Sequence, residues 1–140
     1  MKERRIVVDT NIVVSAFLSG GISQSILKAW LNKEFIALIS DELKYEINEV
    51  LNRPSINAFD RKRQILLGTL FNMARTIHPK HIEKKVFSDP DDHFLLELAI
   101  SGDSHCIVTG DQALLSVKVI NGIKILSPIQ FCHEFRVKLK

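Results

Sequence analysis

Cysteine, tryptophan and tyrosine are scarce in this chain: two, one and one in 140 residues. Cys106 and Cys132 both lie in apolar stretches, so they read as reduced core thiols rather than a disulfide framework. The five histidines and two cysteines show no paired ligand spacing, which leaves a zinc site without support. A single Trp and a single Tyr give little basis for an aromatic platform on which bases stack. Long apolar runs are missing too. Stretches such as Ile12 to Val14 and Ile65 to Leu67 fall far short of the ~20 residues a membrane span needs. The opening Met1-Lys2-Glu3-Arg4-Arg5 has no apolar core followed by a small-residue cleavage site, so a cytoplasmic location is expected. There is no Gly-x-x-x-x-Gly-Lys pattern, and Gly20-Gly21 reads as a helix stop rather than a phosphate cradle.

What remains is the composition of an ordinary soluble globule, 46% hydrophobic and 25% charged. The length suits one domain, residues 1–140, with a sizeable core. Nineteen Lys and Arg against sixteen Asp and Glu leave a formal charge of +3, compatible with a nucleic-acid partner without requiring one. The position of the acids carries more information.

Hydrophobic patterning places a short buried strand at residues 4–8, a helix over 12–18 and a second over 23–32, in which Ile26, Leu27, Trp30 and Leu31 recur at helical spacing. A strand follows at 35–39. Ser40 then caps a helix running from Asp41 to about Asn52, stopped by Arg53-Pro54. One or two helices are expected over 56–74, a weak strand over 75–78 and a charged loop over 79–88. Asp89-Pro90-Asp91-Asp92 opens a helix that ends at Gly102, and a strand covers 105–108 ahead of Thr109-Gly110-Asp111. A short helix at 112–115, one or two strands around Asn121-Gly122 and a last helix near 129–135 complete the chain. Phe17, Phe94 and Phe131 read as core. Alternating strands and helices predict an α/β fold, a three-layer α/β/α sandwich with a central, mainly parallel sheet. In such sheets ligands bind beyond the carboxyl ends of the strands. If the strands ending before Asp9 and Asp111 are neighbours, their carboxylates converge.

Four carboxylates are therefore candidates: Asp9, Glu46, Asp92 and Asp111. Each aspartate has a simpler reading. Asp9 and Asp111 can cap the helices that follow them, and Asp89 can be an N-cap with Pro90 at N1, leaving Asp91 and Asp92 in a first turn that favours negative charge. Capping does not require them all to sit at one sheet edge, and it gives no role to a mid-helix glutamate. On the helix over 41–52, Leu43, Ile47, Val50 and Leu51 form one stripe. Glu46 falls nearest that stripe, while Glu42 and Glu49 point further toward solvent. A half-buried carboxylate needs a partner. Lys or Arg would serve, and so would a cation shared with other carboxylates. Clustered carboxylates raise one another's pKa, and a divalent ion relieves that repulsion. All-oxygen ligands select hard ions, Mg²⁺ or Mn²⁺. Such an ion activates water and neutralises charge at phosphorus, which implies phosphodiester hydrolysis.

Val7-Val8-Asp9-Thr10-Asn11, the helical Glu46, Asp89-Pro90-Asp91-Asp92 ahead of Phe94 to Ala99, and Ile107-Val108-Thr109-Gly110-Asp111 together resemble the PIN-domain ribonucleases, and most nearly the toxin components of prokaryotic toxin–antitoxin systems. The resemblance spans nearly the whole chain in the expected order. It implies a metal site of one or two ions, cleavage of single-stranded RNA and a cognate antitoxin protein. Carried over by position, Asp9, Glu46, Asp92 and Asp111 are the metal-binding and catalytic acids. Thr10, Asn11 and Thr109 match the polar neighbours that orient carboxylates or water. Asp89 and Asp91 stand close enough to share the role given to Asp92. His93 occupies a place where a small polar residue is usual; it is expected to face solvent, against the alternatives of supporting a metal ligand or touching substrate. Arg61, Lys62 and Arg63, with Lys80, His81, Lys84 and Lys85, are candidates to line the RNA backbone, against the plain reading of a solvated surface. A homodimer would use the helices near Trp30 and over 56–70; Trp30 itself reads as core or as a subunit contact.

Two other classes stay open. A phosphotransfer enzyme on a similar sheet would carry an Asp-x-Asp after the first strand, where this chain has Asn11, or an Asp after the third strand, where it has none. A non-catalytic module would keep the fold for partner contact alone, and the complete acidic set argues against it.

Overall fold

The computed structural model describes residues 3–54, 56, 60–82 and 92–139. Six strands form one sheet in the order β3-β2-β1-β4-β6-β5. At its centre lie β1 (Arg5–Val8) and β4 (Cys106–Val108), whose apolar residues are almost wholly removed from water, as a strand covered on both faces requires. They pair in parallel, with Val8 opposite Val108. On one side β1 pairs with β2 (Ile36–Ile39), and β2 with the two-residue β3 (Arg75–Thr76), both in parallel. On the other side β4 pairs in parallel with β6 (Ile123–Leu126). The edge strand β5 (Val119–Ile120) runs antiparallel to β6. The Asn121-Gly122 turn that joins them has positive φ at both residues, 49° and 77°, the geometry a two-residue hairpin prefers.

Helices α1 (Thr10–Leu18) and α2 (Ile22–Leu31) connect β1 to β2, and α3 (Asp41–Leu51) and α4 (Arg61–Met73) connect β2 to β3. The chain then returns past β1 through α5 (His93–Ser101) to β4. Right-handed crossovers that run in opposite directions put their helices on opposite faces of a sheet, which gives the α/β sandwich. The short α6 (Gln112–Leu115) and the terminal α7 (Pro128–Glu134) complete it, α7 opening on a capping box between Ser127 and Gln130. Among the described residues no single helix is long and apolar enough to cross a membrane.

Several boundaries differ from those the sequence suggests. Helix α1 begins at Thr10 rather than Ile12, because the Asp9 carbonyl already accepts from the amides of Ile12 (3.0 Å) and Val13 (3.4 Å) and leaves no linker after the strand. The third strand stops at Thr76. The Ile77 amide still reaches the Ile39 carbonyl at 2.8 Å, but β2 ends there and Pro79 has no amide to offer. Helix α4 starts at Arg61, capped by the Asp60 carboxylate; of the expected helical stretch over 56–74, residues 57–59 lie outside the described residues. Trp30 is 3% exposed and belongs to the core. Phe17, Phe94 and Phe131 are buried as expected.

Candidate metal centre

The order of strands reverses at β1 and β4: the chain leaves β1 toward β2 and β3, then comes back to lay β4 on the other flank. A crevice opens at the carboxyl ends of such a pair. Both strands hand over to polar residues at that edge. The Asp9 amide extends the ladder to the Val108 carbonyl at 2.9 Å, and the Thr109 amide does the same to Leu126 at 2.9 Å. Asp9 and Thr109 are thereby held side by side, 7% and 0% exposed.

Asp9 occupies the N-cap position of α1, yet its side chain does not cap the helix. Its Oδ2 accepts the Thr109 hydroxyl at 2.7 Å instead. Thr109 Oγ1 in turn accepts the Asp111 amide at 3.0 Å. Glu46 arrives from α3, which packs on α1, and accepts the hydroxyl of Thr10. Leu43, Ile47 and Leu51 are buried while Glu46 is half-buried at the edge of their stripe. Asp111 does cap a helix: one oxygen accepts the Ala113 amide of α6 at 2.8 Å. The structure thus gathers Asp9, Thr10, Glu46, Thr109 and Asp111.

Burial pushes the Asp9 carboxyl above its usual range, and the negative charges of Glu46 and Asp111 push it further. The Thr109 hydroxyl and the Thr10 amide oppose them without cancelling the rise. Among the described residues no Lys or Arg forms an ion pair with Asp9, Glu46 or Asp111. A buried acid facing two further acids with no such counter-charge suits a hard cation, and every donor in the set is oxygen. Among the described residues, as the side chains stand, no group of three His, Cys, Asp or Glu is spaced to enclose a metal ion. The all-oxygen donor set fits the chemistry of a hard divalent ion, although the described side chains as placed do not enclose one.

The other predicted residues are distributed as follows. Asp92 stands at the start of α5, partly buried, and its side chain does not cap that helix; α5 lies against β1, β4 and α3. Asn11 is exposed on the first turn of α1. Asp89, Asp91, Lys84 and Lys85 lie outside the described residues. Arg61 and Lys62 are exposed, and Arg63 is tied to Asp60 at 3.0 Å. Lys44 lies over the Phe71 ring at 5.6 Å, and Asn48 and Asn52 share a groove with Gln64, Leu67 and Gly68.

One expectation fails. His93 does not face solvent: its side chain is 19% exposed and Nε2 sits 2.5 Å from the Ile82 carbonyl. Sequence reasoning also passes over Glu97. A lone acid within Phe94-Leu95-Leu96-Glu97-Leu98-Ala99 is the available signal, and its carboxylate binds the Ile82 amide at 2.8 Å.

A PIN-domain family model matches residues 5–113, from the first residue of β1 through the start of α6. The chain belongs to the PIN-domain family. No curated protein matches it. PIN domains are generally nucleases and generally use divalent metals, and a likeness to toxin components is typical of the family. In this PIN domain the residues that form the sheet-end cluster all fall within the matched span.

Proposed function

We propose that this PIN domain is a Mg²⁺- or Mn²⁺-dependent endoribonuclease that hydrolyses single-stranded RNA, and that it is the toxin of a toxin–antitoxin pair in the cytoplasm. One observation carries the nuclease reading. A buried Asp9, raised by its surroundings, is placed by the central strands beside Glu46 and Asp111, and no Lys or Arg among the described residues pairs with any of them. Asp9, Glu46, Asp92 and Asp111 would hold the ion. A bound dication supplies charge neutralisation at the phosphate and a water of lowered pKa. The protein's own part is orientation. Thr109 fixes one oxygen of Asp9, Thr10 fixes one of Glu46, and the Ala113 amide fixes one of Asp111. Arg61 and Lys62 at the start of α4 would meet backbone phosphates of the RNA.

Purified protein incubated with single-stranded RNA tests the proposal. Cleavage is expected with Mn²⁺, absent with EDTA and lost in Asp9→Asn. Clean protein that neither binds Mn²⁺ nor cleaves RNA would favour the non-catalytic module and sink the proposal. The toxin role has its own test: a small DNA-binding protein encoded beside this chain should copurify with it and suppress cleavage.

A further inference from the structure

Outside the sheet-end cluster, the densest polar arrangement runs along one flank of α5. Phe94, Leu95, Leu96, Leu98 and Ala99 of that helix are buried. His93, Glu97 and Ser101 recur every fourth residue and so line up along its side. All three grip the segment 80–82. Ser101 Oγ accepts the Lys80 amide at 2.9 Å. Glu97 Oε2 accepts the Ile82 amide at 2.8 Å and lies 2.8 Å from His81 Nδ1. His93 Nε2 sits 2.5 Å from the Ile82 carbonyl and 3.7 Å from the same Glu97 oxygen. A carbonyl only accepts, so Nε2 carries the proton there. Glu97 is 16% exposed, and a carboxylate so far out of water makes charge-assisted bonds stronger than neutral ones.

The consequence lies in where the fastened residues sit. Ile82 and His93 stand on either side of residues 83–91 in the chain, and His93 directly follows Asp92. Both ends of that stretch are joined at one point on α5, which limits the positions the start of the helix can take. We propose that Glu97 is a positioning residue. Acting through Ile82 and His93, it fixes the first turn of α5 and with it the position of Asp92. The inference rests on the nuclease reading, which gives Asp92 its role. Partners that orient a metal ligand typically contribute about 10–100-fold in metal affinity.

Mn²⁺ binding to the intact chain, followed by electron paramagnetic resonance of the free ion, tests this without reference to activity. Glu97→Ala should weaken binding about tenfold or more. Glu97→Gln should recover most of that loss, because its amide oxygen can still accept the Ile82 amide. If the alanine variant does not fold, Glu97→Leu keeps the volume and removes the acceptor. Asp9→Asn runs in parallel. Wild type binding Mn²⁺, Asp9→Asn failing to bind, and Glu97→Ala or Glu97→Leu binding as wild type would overturn the positioning role and leave the nuclease reading intact. Wild type that binds no Mn²⁺ overturns both.

Discussion

Thr109 gives its hydroxyl proton to Asp9 Oδ2 across 2.7 Å, joining the ends of the two central strands by a side-chain bond shielded from solvent. The same hydroxyl oxygen accepts the Asp111 amide, so one fully buried threonine orders two acids that lie 102 positions apart in the chain. Thr109→Val keeps the shape and removes both bonds. It should cost about 1–3 kcal/mol in urea unfolding, since a buried carboxylate oxygen and a backbone amide lose their partners. Mn²⁺ affinity should fall about tenfold with it. Thr109→Ser should restore both, and a serine variant no better than valine would remove the hydroxyl from the account.

Asp9 makes the metal-free protein sensitive to pH in a definite direction. Burial first, and the charges of Glu46 and Asp111 after it, hold its carboxyl above the ordinary value. The folded chain therefore takes up this proton more readily than the unfolded one. The resulting stability is complete below the ordinary carboxylate range and is lost as pH rises through the raised folded value. Asp9→Asn carries no such loss. Without metal, it should melt several degrees above wild type at pH 7, and the gap should close as pH falls toward the unfolded carboxylate range. Mn²⁺ should reverse the order by raising the melting point of wild type alone. Parallel melting curves across pH, with and without Mn²⁺, check both halves.

The sheet-end acids are legible in the sequence because local patterns fix them. A short β-branched strand that runs straight into Asp9, and another into Thr109-Gly110-Asp111, place those residues at one sheet edge wherever β1 and β4 are neighbours. Helical spacing then puts Glu46 at the edge of the Leu43–Ile47–Leu51 stripe. His93 is misread for the opposite reason. Its burial comes from residues 80–82 crossing the flank of α5, a contact eleven positions away with no local signature. Glu97 escapes notice for the same cause, since a single glutamate on an apolar helix looks like its solvent face until the strap is seen. The end of β3 depends on where β2 runs out, which is a property of the sheet and not of Ile77 or His78.

Two glycines in helical settings should respond in opposite senses to alanine. Gly102 closes α5, and an added Cβ there would meet Leu38 Cδ1 at 2.5 Å, the Leu98 carbonyl at 3.2 Å and Ile77 Cγ1 at 3.3 Å. Leu38 is 1% exposed and cannot move without disturbing the core. Gly102→Ala should therefore cost about 1–3 kcal/mol. Gly68 lies inside α4 and an added Cβ would touch nothing within 4 Å. Gly68→Ala should stabilise by roughly 0.4–1 kcal/mol, because glycine loses more freedom in a helix. Denaturant midpoints of the two variants give the comparison directly, and equal shifts would contradict the packing of α5 on β2.

The start of α4 separates binding from chemistry. Arg61 and Lys62 are exposed, and they stand on a helix that contributes none of the gathered acids. Cations that bind the RNA backbone without touching the reacting phosphate act on the ground state and the transition state alike, so their removal should raise KM for RNA and leave kcat in place. The double change Arg61→Ala with Lys62→Ala should also flatten the dependence of binding on salt. For a single strand the log–log slope should fall by about 0.7 per phosphate that is no longer neutralised. Arg63→Ala should do less, because Asp60 already holds that guanidinium at 3.0 Å. Binding isotherms for one oligonucleotide at several salt concentrations, together with steady-state cleavage, decide the matter. A fall in kcat would place these cations at the reacting phosphate, and an unchanged salt slope would remove them from the RNA path.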